Sequence, residues 1–119
     1  MNVAVIGASD KPDRYSYQAV MLLKEKGHGV YPVHQRIKEI EGIKVYPSIN
    51  DIKEEMDTVS MYVSADVSSK IAGYILAKKP RRIIFNPGAE NVELEKQARD
   101  RGIKPINACT LVMLKTGKF

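Results

Sequence analysis

The segment from Asn2 to Ser16 reads NVAVIGASDKPDRYS, and its first half decides the fold. A short apolar run leads directly into Gly7, which indicates a buried strand that ends in a tight turn. Apolar residues then recur at helical spacing as far as Leu23, and Gly27 marks the end of that helix. A strand, a glycine turn and a helix make the first unit of a parallel α/β sheet.

The same alternation of strand and helix patterns continues along the chain. The β-branched runs predict five strands, over Asn2–Ile6, Val30–Val33, Thr58–Val63, Ile83–Phe85 and Ile103–Ile106. The alternation predicts one Rossmann-like domain over residues 1–119, a doubly wound parallel sheet of about five strands with helices on both faces. Residues 37–51 break the rhythm, and we expect an irregular excursion with a short extra strand and a one-turn helix capped by Ser48.

Two further helices follow from the spacing of apolar residues. In the first of them we expect a cap from Ser64 or Asp66, and a shared buried face made of Val67, Ile71, Tyr74 and Ile75. In the other, Leu94 and Ala98 face inward and Gly102 ends the helix.

Composition excludes several classes of protein. A chain of 119 residues that is 44% hydrophobic fits one domain with a real core, and neither a disordered segment nor a multidomain enzyme. The net charge of +5 favours anionic partners, but the basic residues are scattered and Trp is absent, so nucleic acid is not expected. One cysteine excludes an internal disulfide, and no apolar run has the length of a membrane span or a leader peptide. We therefore expect a cytoplasmic protein.

The loop after the first strand is the strongest chemical signal. Gly7 lets a ligand approach the backbone, and backbone N–H groups together with the N-terminus of the following helix favour a phosphate. Arg14 stands near the start of that helix, where a cation opposes the helix dipole unless an anion lies nearby. The alternatives are that Gly7 only makes the turn and that Arg14 forms an ion pair with a neighbouring aspartate, Asp10 or Asp13.

The end of the second strand discriminates between nucleotides. In NAD-binding sheets an acidic residue at this place accepts hydrogen bonds from the ribose hydroxyls. Here the strand ends in Val33, His34, Gln35 and Arg36, and no carboxylate comes before Glu39. A neutral or basic strand end suits a ribose that carries a phosphate, as in NADP or coenzyme A. His34 borders the adenine in this interpretation, and the alternative is an exposed loop histidine.

Other strand ends point to the same crevice. Tyr62 and Val63 close the third strand, and Asn86, Pro87 and Gly88 follow the fourth, where turn formation alone is the alternative. No nucleophile accompanies either histidine, and no residues have metal-ligand spacing. Cys109 precedes an apolar run, so we expect it to be buried.

The ordered set of motifs resembles the small stand-alone CoA-binding proteins. The resemblance covers essentially the whole chain and rests on four segments: Gly7 to Ser9 with Arg14 to Ser16, Gly27 to Val33, Gly42 to Ser48 and Asn86 to Gly88. Those proteins are similar to the CoA-binding N-terminal domain of the succinyl-CoA synthetase α subunit. The resemblance implies that CoA lies across the carboxyl ends of the strands.

Carried over by position, the resemblance implies three groups of ligand contacts. The pyrophosphate would be held by Gly7, Ala8 and Ser9, with Arg14 and Tyr15 beside it. Adenine and ribose would be bordered by Val33, His34 and Gln35, and the rest of the molecule by Tyr62, Val63, Asn86, Pro87 and Gly88. In the synthetase the ligase chemistry depends on a second domain with a phosphorylated histidine and on a β subunit, so no catalysis is expected of residues 1–119.

We therefore expect non-catalytic binding of coenzyme A or acyl-CoA, as a carrier, sensor or regulator. One alternative is an NADP-binding module, because the same loop and the same lack of an acidic residue fit it. Another is a protein-interaction domain with a vestigial pocket, motivated by Ser9 in place of a second glycine and by His34-Gln35 where many relatives have Asn-Pro. A homodimer is compatible with an exposed sheet edge or with the apolar C-terminal run.

Overall fold

A computed structural model describes all residues, 1–119. Its strands are β1 (Asn2–Ile6), β2 (Gly29–Val33), β3 (Glu39–Ile40), β4 (Ile43–Lys44), β5 (Thr58–Met61), β6 (Arg82–Phe85) and β7 (Lys104–Asn107). Its α-helices are α1 (Tyr15–Glu25), α2 (Ala65–Ala77), α3 (Val92–Asp100) and α4 (Thr110–Lys115), and a 3₁₀ helix spans Ile49–Asp51. None of these helices has both the length and the apolar character that crossing a membrane requires.

Five of the strands form one parallel sheet in the order β2-β1-β5-β6-β7, which confirms the expected α/β architecture. Side chains along β1 alternate between the two faces, as the two-residue period of a strand requires. Val3 and Val5 pack with α1 and α4 on one face, whereas Ala4 and Ile6 pack with α2 and α3 on the other. The central strands are buried on both faces for this reason.

The irregular segment between β2 and β5 contains more structure than expected. Strands β3 and β4 form an antiparallel hairpin, and its two turn residues, Glu41 and Gly42, have φ angles of 49° and 80°. Positive φ at both positions is what a two-residue hairpin turn with right-handed strand twist requires. The expected one-turn helix is present, and the Ser48 hydroxyl caps it by accepting the N–H of Asn50 at 3.1 Å.

The predicted inner face of α2 is right at Ile75, which is buried, and wrong at Val67 and Tyr74. Its buried residues are Ser68, Ala72, Ile75 and Leu76. Val67 is 44% exposed and Tyr74 is 52% exposed, and Ile71 is half-buried. The helix therefore has two apolar stripes. Small residues, Ser68 and Ala72, make up half of the buried stripe, so the helix can lie close to the sheet.

Two smaller expectations also need correction. Ser64 stands at the N-cap of α2, but its side chain accepts no hydrogen bond from the helix, and Asp66 does not replace it. Strand β5 ends at Met61 rather than at Val63, and the C-terminal apolar run folds as α4. The chain therefore leaves the sheet at Tyr62, which brings this residue and Val63 to the sheet edge.

Candidate functional site

Strands β1 and β5 are parallel neighbours whose following helices cover opposite faces of the sheet. After β1 the chain enters α1 on one face, and after β5 it enters α2 on the opposite face. A crevice opens at the carboxyl ends of such strands, and this is where ligands of open α/β sheets bind. Two clefts, of about 850 and 680 Å³, meet at this crevice and share Gly7, His34 and Val63.

The first cleft is polar and lies on the loop between β1 and α1. Its lining consists of Gly7, Ala8, Ser9, Asp10, Lys11, Asp13, Arg14, Tyr15, Ser16, His34, Ile37, Tyr62 and Val63. The Ser9 hydroxyl accepts the N–H of Lys11 at 3.1 Å and so shapes the turn itself. The cleft therefore consists mainly of one folded loop and the helix N-terminus at its end, and residues that follow β2 and β5 complete it.

The amide groups of this loop differ from the expectation. The N–H groups of Gly7 and Ala8 both donate to the carbonyl oxygen of Val33, at 3.1 and 3.2 Å, so they are engaged inside the protein. Ser9 donates its N–H to no protein group, and neither do the first three residues of α1. The donors open to an anion are thus those of Ser9 and the helix N-terminus.

Arg14 has no partner within the protein. It is exposed at the N-cap of α1, and the expected alternative, an ion pair with Asp10 or Asp13, is absent. A cation beside the positive end of a helix dipole is destabilised unless an anion joins them. Arg14 and the free amide groups of α1 together make a site that favours an anion such as a phosphate.

Gly7 is required at the junction of the clefts for two reasons. Its φ of +83° is rarely adopted by other residues, and a Cβ atom there would lie 2.7 Å from Cγ1 of Val63. The carbonyl carbon and oxygen of Tyr62 would be only 3.3 Å away. Any side chain at this position would therefore displace Val63 and crowd the backbone of Tyr62, which directly follows β5.

The second cleft is half apolar. It lies between the end of β2, the segment around the 3₁₀ helix and the outer stripe of α2. Its lining consists of Ile6, Gly7, Val33, His34, Gln35, Arg36, Pro47, Ser48, Ile49, Val63, Val67, Lys70, Ile71 and Tyr74. Arg36 and Lys70 are its cationic side chains, and both are exposed.

Sequence reasoning missed part of this second cleft. Val67, Ile71 and Tyr74 were assigned to the core, and Lys70 was assigned no role. A signal was present, because α2 carries more apolar residues than one buried stripe needs. The excess stripe forms a wall of the cleft, and of its members only Ile71 also packs against the core.

The structure brings all but three of the expected site residues to these clefts. The exceptions are Asn86, Pro87 and Gly88. Asn86 is only 1% exposed, and its amide group donates to the Ser60 hydroxyl at 3.0 Å and to the Met61 carbonyl at 2.8 Å. Its oxygen accepts the N–H of Thr110 at 2.8 Å. These hydrogen bonds of Asn86 are all directed into the protein, and its expected contact with the ligand stays a prediction.

Pro87 and Gly88 lie in an exposed turn beyond Asn86. The N–H of Gly88 donates to a carboxylate oxygen of Glu90 at 2.9 Å, and its φ is +91°. The turn-forming alternative thus accounts for both residues.

Tyr62 lies at the boundary between the first cleft and the buried network of Asn86. Its hydroxyl is buried near the Ser60 and Thr110 hydroxyls, but it meets the geometry of a hydrogen bond with neither. Burial raises the pKa of Tyr62 to about 12, and the neighbouring Cys109 thiol acts in the same direction. Cys109 is half-buried rather than fully buried as expected. No three histidine, cysteine or acidic side chains are grouped so that they could hold a metal ion.

A family model and several known proteins are similar to this chain. A family model described as a CoA binding domain matches residues 1–115. The α subunit of an ADP-forming acetate–CoA ligase of Pyrococcus furiosus is 42% identical over 62 residues, which cover 51% of this chain and 14% of that subunit. The chain therefore spans a small part of that relative.

Two similar proteins are closer to this chain in length. The uncharacterised protein YneT of Bacillus subtilis is 26% identical over 100 residues, which cover 84% of this chain and 74% of YneT. A solved structure of a hypothetical protein from Pyrococcus horikoshii superimposes with a TM-score of 0.90 at 29% identity. That match covers 96% of this chain and 81% of the other.

Proposed function

The chain belongs to the CoA binding domain family, and we propose that it binds coenzyme A or an acyl-CoA in the two clefts that meet at Gly7. One observation carries the proposal: a polar cleft with an unpartnered Arg14 and free amide groups adjoins a half-apolar cleft with its own cations. CoA combines a diphosphate, an adenosine with a 3′-phosphate and a long pantetheine arm. Its alternation of charged and apolar parts matches the alternation of the clefts.

The parts of CoA divide between the clefts by their chemistry. The diphosphate lies at the N-terminus of α1, where the amide groups and Arg14 are directed at it. The adenine lies against the apolar wall of α2 formed by Val67, Ile71 and Tyr74, and an aromatic ring there suits a planar base. The 3′-phosphate lies near Arg36 and Lys70, which supply the positive charge.

The proposed role is binding without catalysis, as a carrier, a sensor or a regulator of a partner. The clefts contain no nucleophile paired with a base, because His34 uses its Nδ1 within a turn and Cys109 is not among the lining residues. The relatives named as acetate–CoA ligases are much longer than the matched region, so ligase activity is not part of the proposal.

The test is thermal melting of nucleotide-stripped protein with CoA, dephospho-CoA, NADP, NAD and ADP at one shared concentration. A ligand at 100 times its dissociation constant stabilises the folded state by about 2.7 kcal/mol, which a melt resolves. We expect the largest shift with CoA and a smaller one with dephospho-CoA, because Arg36 and Lys70 lose the 3′-phosphate. Calorimetric titration then gives the affinities.

The other outcomes separate the alternatives. A larger shift with NADP than with CoA would replace CoA as the ligand by NADP. No shift with any of the five compounds would contradict the proposal and favour a protein-interaction role. Equal shifts with CoA and dephospho-CoA would leave CoA as the ligand but remove the assignment of the 3′-phosphate.

A further inference from the structure

His34 lies where the two clefts join, and its ring forms the turn that follows β2. Its Nδ1 accepts the N–H of Arg36 at 3.0 Å and the N–H of Ile37 at 3.2 Å. A ring nitrogen that faces two donors must carry a lone pair, so the neutral ring has its proton on Nε2. His34 therefore acts at Nδ1 as an acceptor for the backbone.

The turn depends on this one side chain. The backbone of His34 itself is tied to the neighbouring segment, since its N–H donates to the carbonyl of Tyr46 at 3.0 Å. From Gln35 to Ile37 the backbone makes no hydrogen bond other than the two to the His34 ring, and the next one is at Lys38. The ring thus holds the segment that carries Arg36 into the second cleft and Ile37 into the first.

We propose that His34 is a positioning residue whose protonation at Nδ1 releases the Gln35–Ile37 turn, so that the protein binds its ligand at neutral pH and releases it as the pH falls. This inference rests on the proposed function for the identity of the ligand. Protonation adds one proton from solvent to Nδ1 and converts the acceptor into a donor that faces two other donors. The two backbone bonds are lost, and Arg36 is no longer held towards the cleft.

The surroundings do not compensate for that loss. The charged and titratable groups that line the clefts around His34 come from the loop after β1, from α1, from the turn after β2, from the segment after β5 and from α2. They are Asp10, Lys11, Asp13, Arg14, Tyr15, Arg36, Tyr62, Lys70 and Tyr74. Tyr46 is a further titratable neighbour, and its carbonyl accepts the N–H of His34. The cations Lys11, Arg14, Arg36 and Lys70 outnumber the two aspartates, so a protonated ring joins an already positive site. Because these cations already attract the phosphates, the extra charge on the ring adds little affinity. The loss of the turn therefore lowers the affinity overall.

The test compares CoA affinity at pH 8 and pH 5.5 by calorimetry for the wild type, His34→Asn and His34→Ala. An Asn Oδ1 can take the place of Nδ1 in such a turn and does not titrate in this range. We expect His34→Ala to bind about tenfold more weakly than the wild type at pH 8, the size of one or two net hydrogen bonds. We expect His34→Asn to bind more tightly than His34→Ala.

The pH response is the decisive readout. We expect the wild type to lose about tenfold more affinity between pH 8 and pH 5.5 than His34→Asn loses. Titration of the CoA phosphates is common to both proteins and cancels in this ratio. The matched control is His28→Asn, which removes the other histidine at the opposite end of β2 and should respond like the wild type.

NMR of the free protein tests the turn without any ligand. At pH 8 we expect the His34 ring to carry its proton on Nε2, and the amide signals of Arg36 and Ile37 to titrate together with the ring. A proton on Nδ1, or amide signals that do not follow the ring, would overturn the inference. So would a wild type that binds CoA with the same pH response as His34→Asn. Absence of CoA binding by the wild type at pH 8 would contradict the proposed function and the ligand release with it, and NMR would still decide the turn.

Discussion

The carboxyl edge of the sheet contains two polar regions that differ in how their hydrogen bonds are satisfied. At the end of β6, Asn86 is bonded to Ser60, Met61 and Thr110 at 2.8 to 3.0 Å and is sealed from solvent. At the end of β1, Arg14 and the amide groups of the α1 N-terminus have no protein partner. Both regions follow parallel strands, and only the second is open.

The difference comes from what covers the strand ends. Helix α4 begins directly over β5 and β6, and its first N–H, that of Thr110, is the one that Asn86 accepts. The Thr110 and Ser60 hydroxyls are also bonded to each other, at 2.8 Å. The ends of β1 and β2 instead line the two open clefts, at Gly7, Val33 and His34. A polar residue at a strand end therefore indicates a ligand site only where the rest of the chain leaves it uncovered.

The strongest test of the closed region is Asn86→Ala. The N–H of Thr110 loses its only partner, at a cost of about 1–3 kcal/mol. The Ser60 hydroxyl and the Met61 carbonyl each lose one hydrogen bond and keep another, at about 0.5–1.5 kcal/mol each. We therefore expect the free energy of unfolding to fall by roughly 4 kcal/mol. Urea denaturation measures it. CoA affinity of the folded fraction should change less than twofold. A large loss of affinity with little loss of stability would mean that Asn86 contacts the ligand after all.

Gly7→Ala tests the junction of the clefts. The added Cβ meets Val63 and the Tyr62 carbonyl, and the φ of +83° is itself unfavourable, so we expect a loss of about 3 kcal/mol in unfolding free energy together with weaker CoA binding. The control is Gly42→Ala, which has a φ of +80° and no atom within 4 Å of the added Cβ. It should cost about 1 kcal/mol, from backbone strain alone. Equal costs would refute the close-contact argument.

Arg14→Ala tests the open region. We expect CoA binding to weaken by about 1.5–3 kcal/mol, the range for a charge-assisted hydrogen bond, with little change in unfolding free energy because Arg14 has no partner in the protein. The control Arg101→Ala removes the same charge from an exposed position at the end of α3. Calorimetric titration distinguishes the two variants. Similar affinities would place Arg14 outside the ligand contacts.

Tyr62→Phe tests the boundary between the closed region at Asn86 and the open region at Arg14. The Tyr62 pKa of about 12, against 10 in the unfolded chain, means that the folded state holds the phenol proton more tightly. Stability contributed by this group is therefore complete below pH 10 and is lost as the pH rises through 12, by up to roughly 3 kcal/mol. Tyr62→Phe removes the buried, unpartnered hydroxyl, so it should be neutral or slightly stabilising at pH 8.

The measurement for Tyr62 is urea unfolding of the wild type and Tyr62→Phe at pH 8 and pH 11. The stability of the wild type should fall more steeply, because the titration of the other tyrosines and the lysines is common to both proteins. Parallel decreases would show that Tyr62 titrates as it does in the unfolded chain.

Much of the architecture could be predicted because it follows from local pattern. The apolar runs before Gly7 and between the helices are central strands, and a parallel sheet requires such runs to be buried on both faces. The turn residues also act locally, as Ser48 and Gly42 illustrate. The second face of α2 could not be assigned in this way, since apolar spacing does not tell a core stripe from the wall of a cleft.

The sequence by itself determined the order of strands and helices, the glycine junction at Gly7 and the basic character of the second strand end. These depend on backbone conformation and residue type, which each short segment carries with it. Only the tertiary structure decided that Asn86 is enclosed while Arg14 stays free, and that the ring of His34 holds its own turn. Those outcomes depend on which distant segments cover a polar group, and residues far apart in the chain, such as Asn86 and Thr110, meet only once the sheet is assembled.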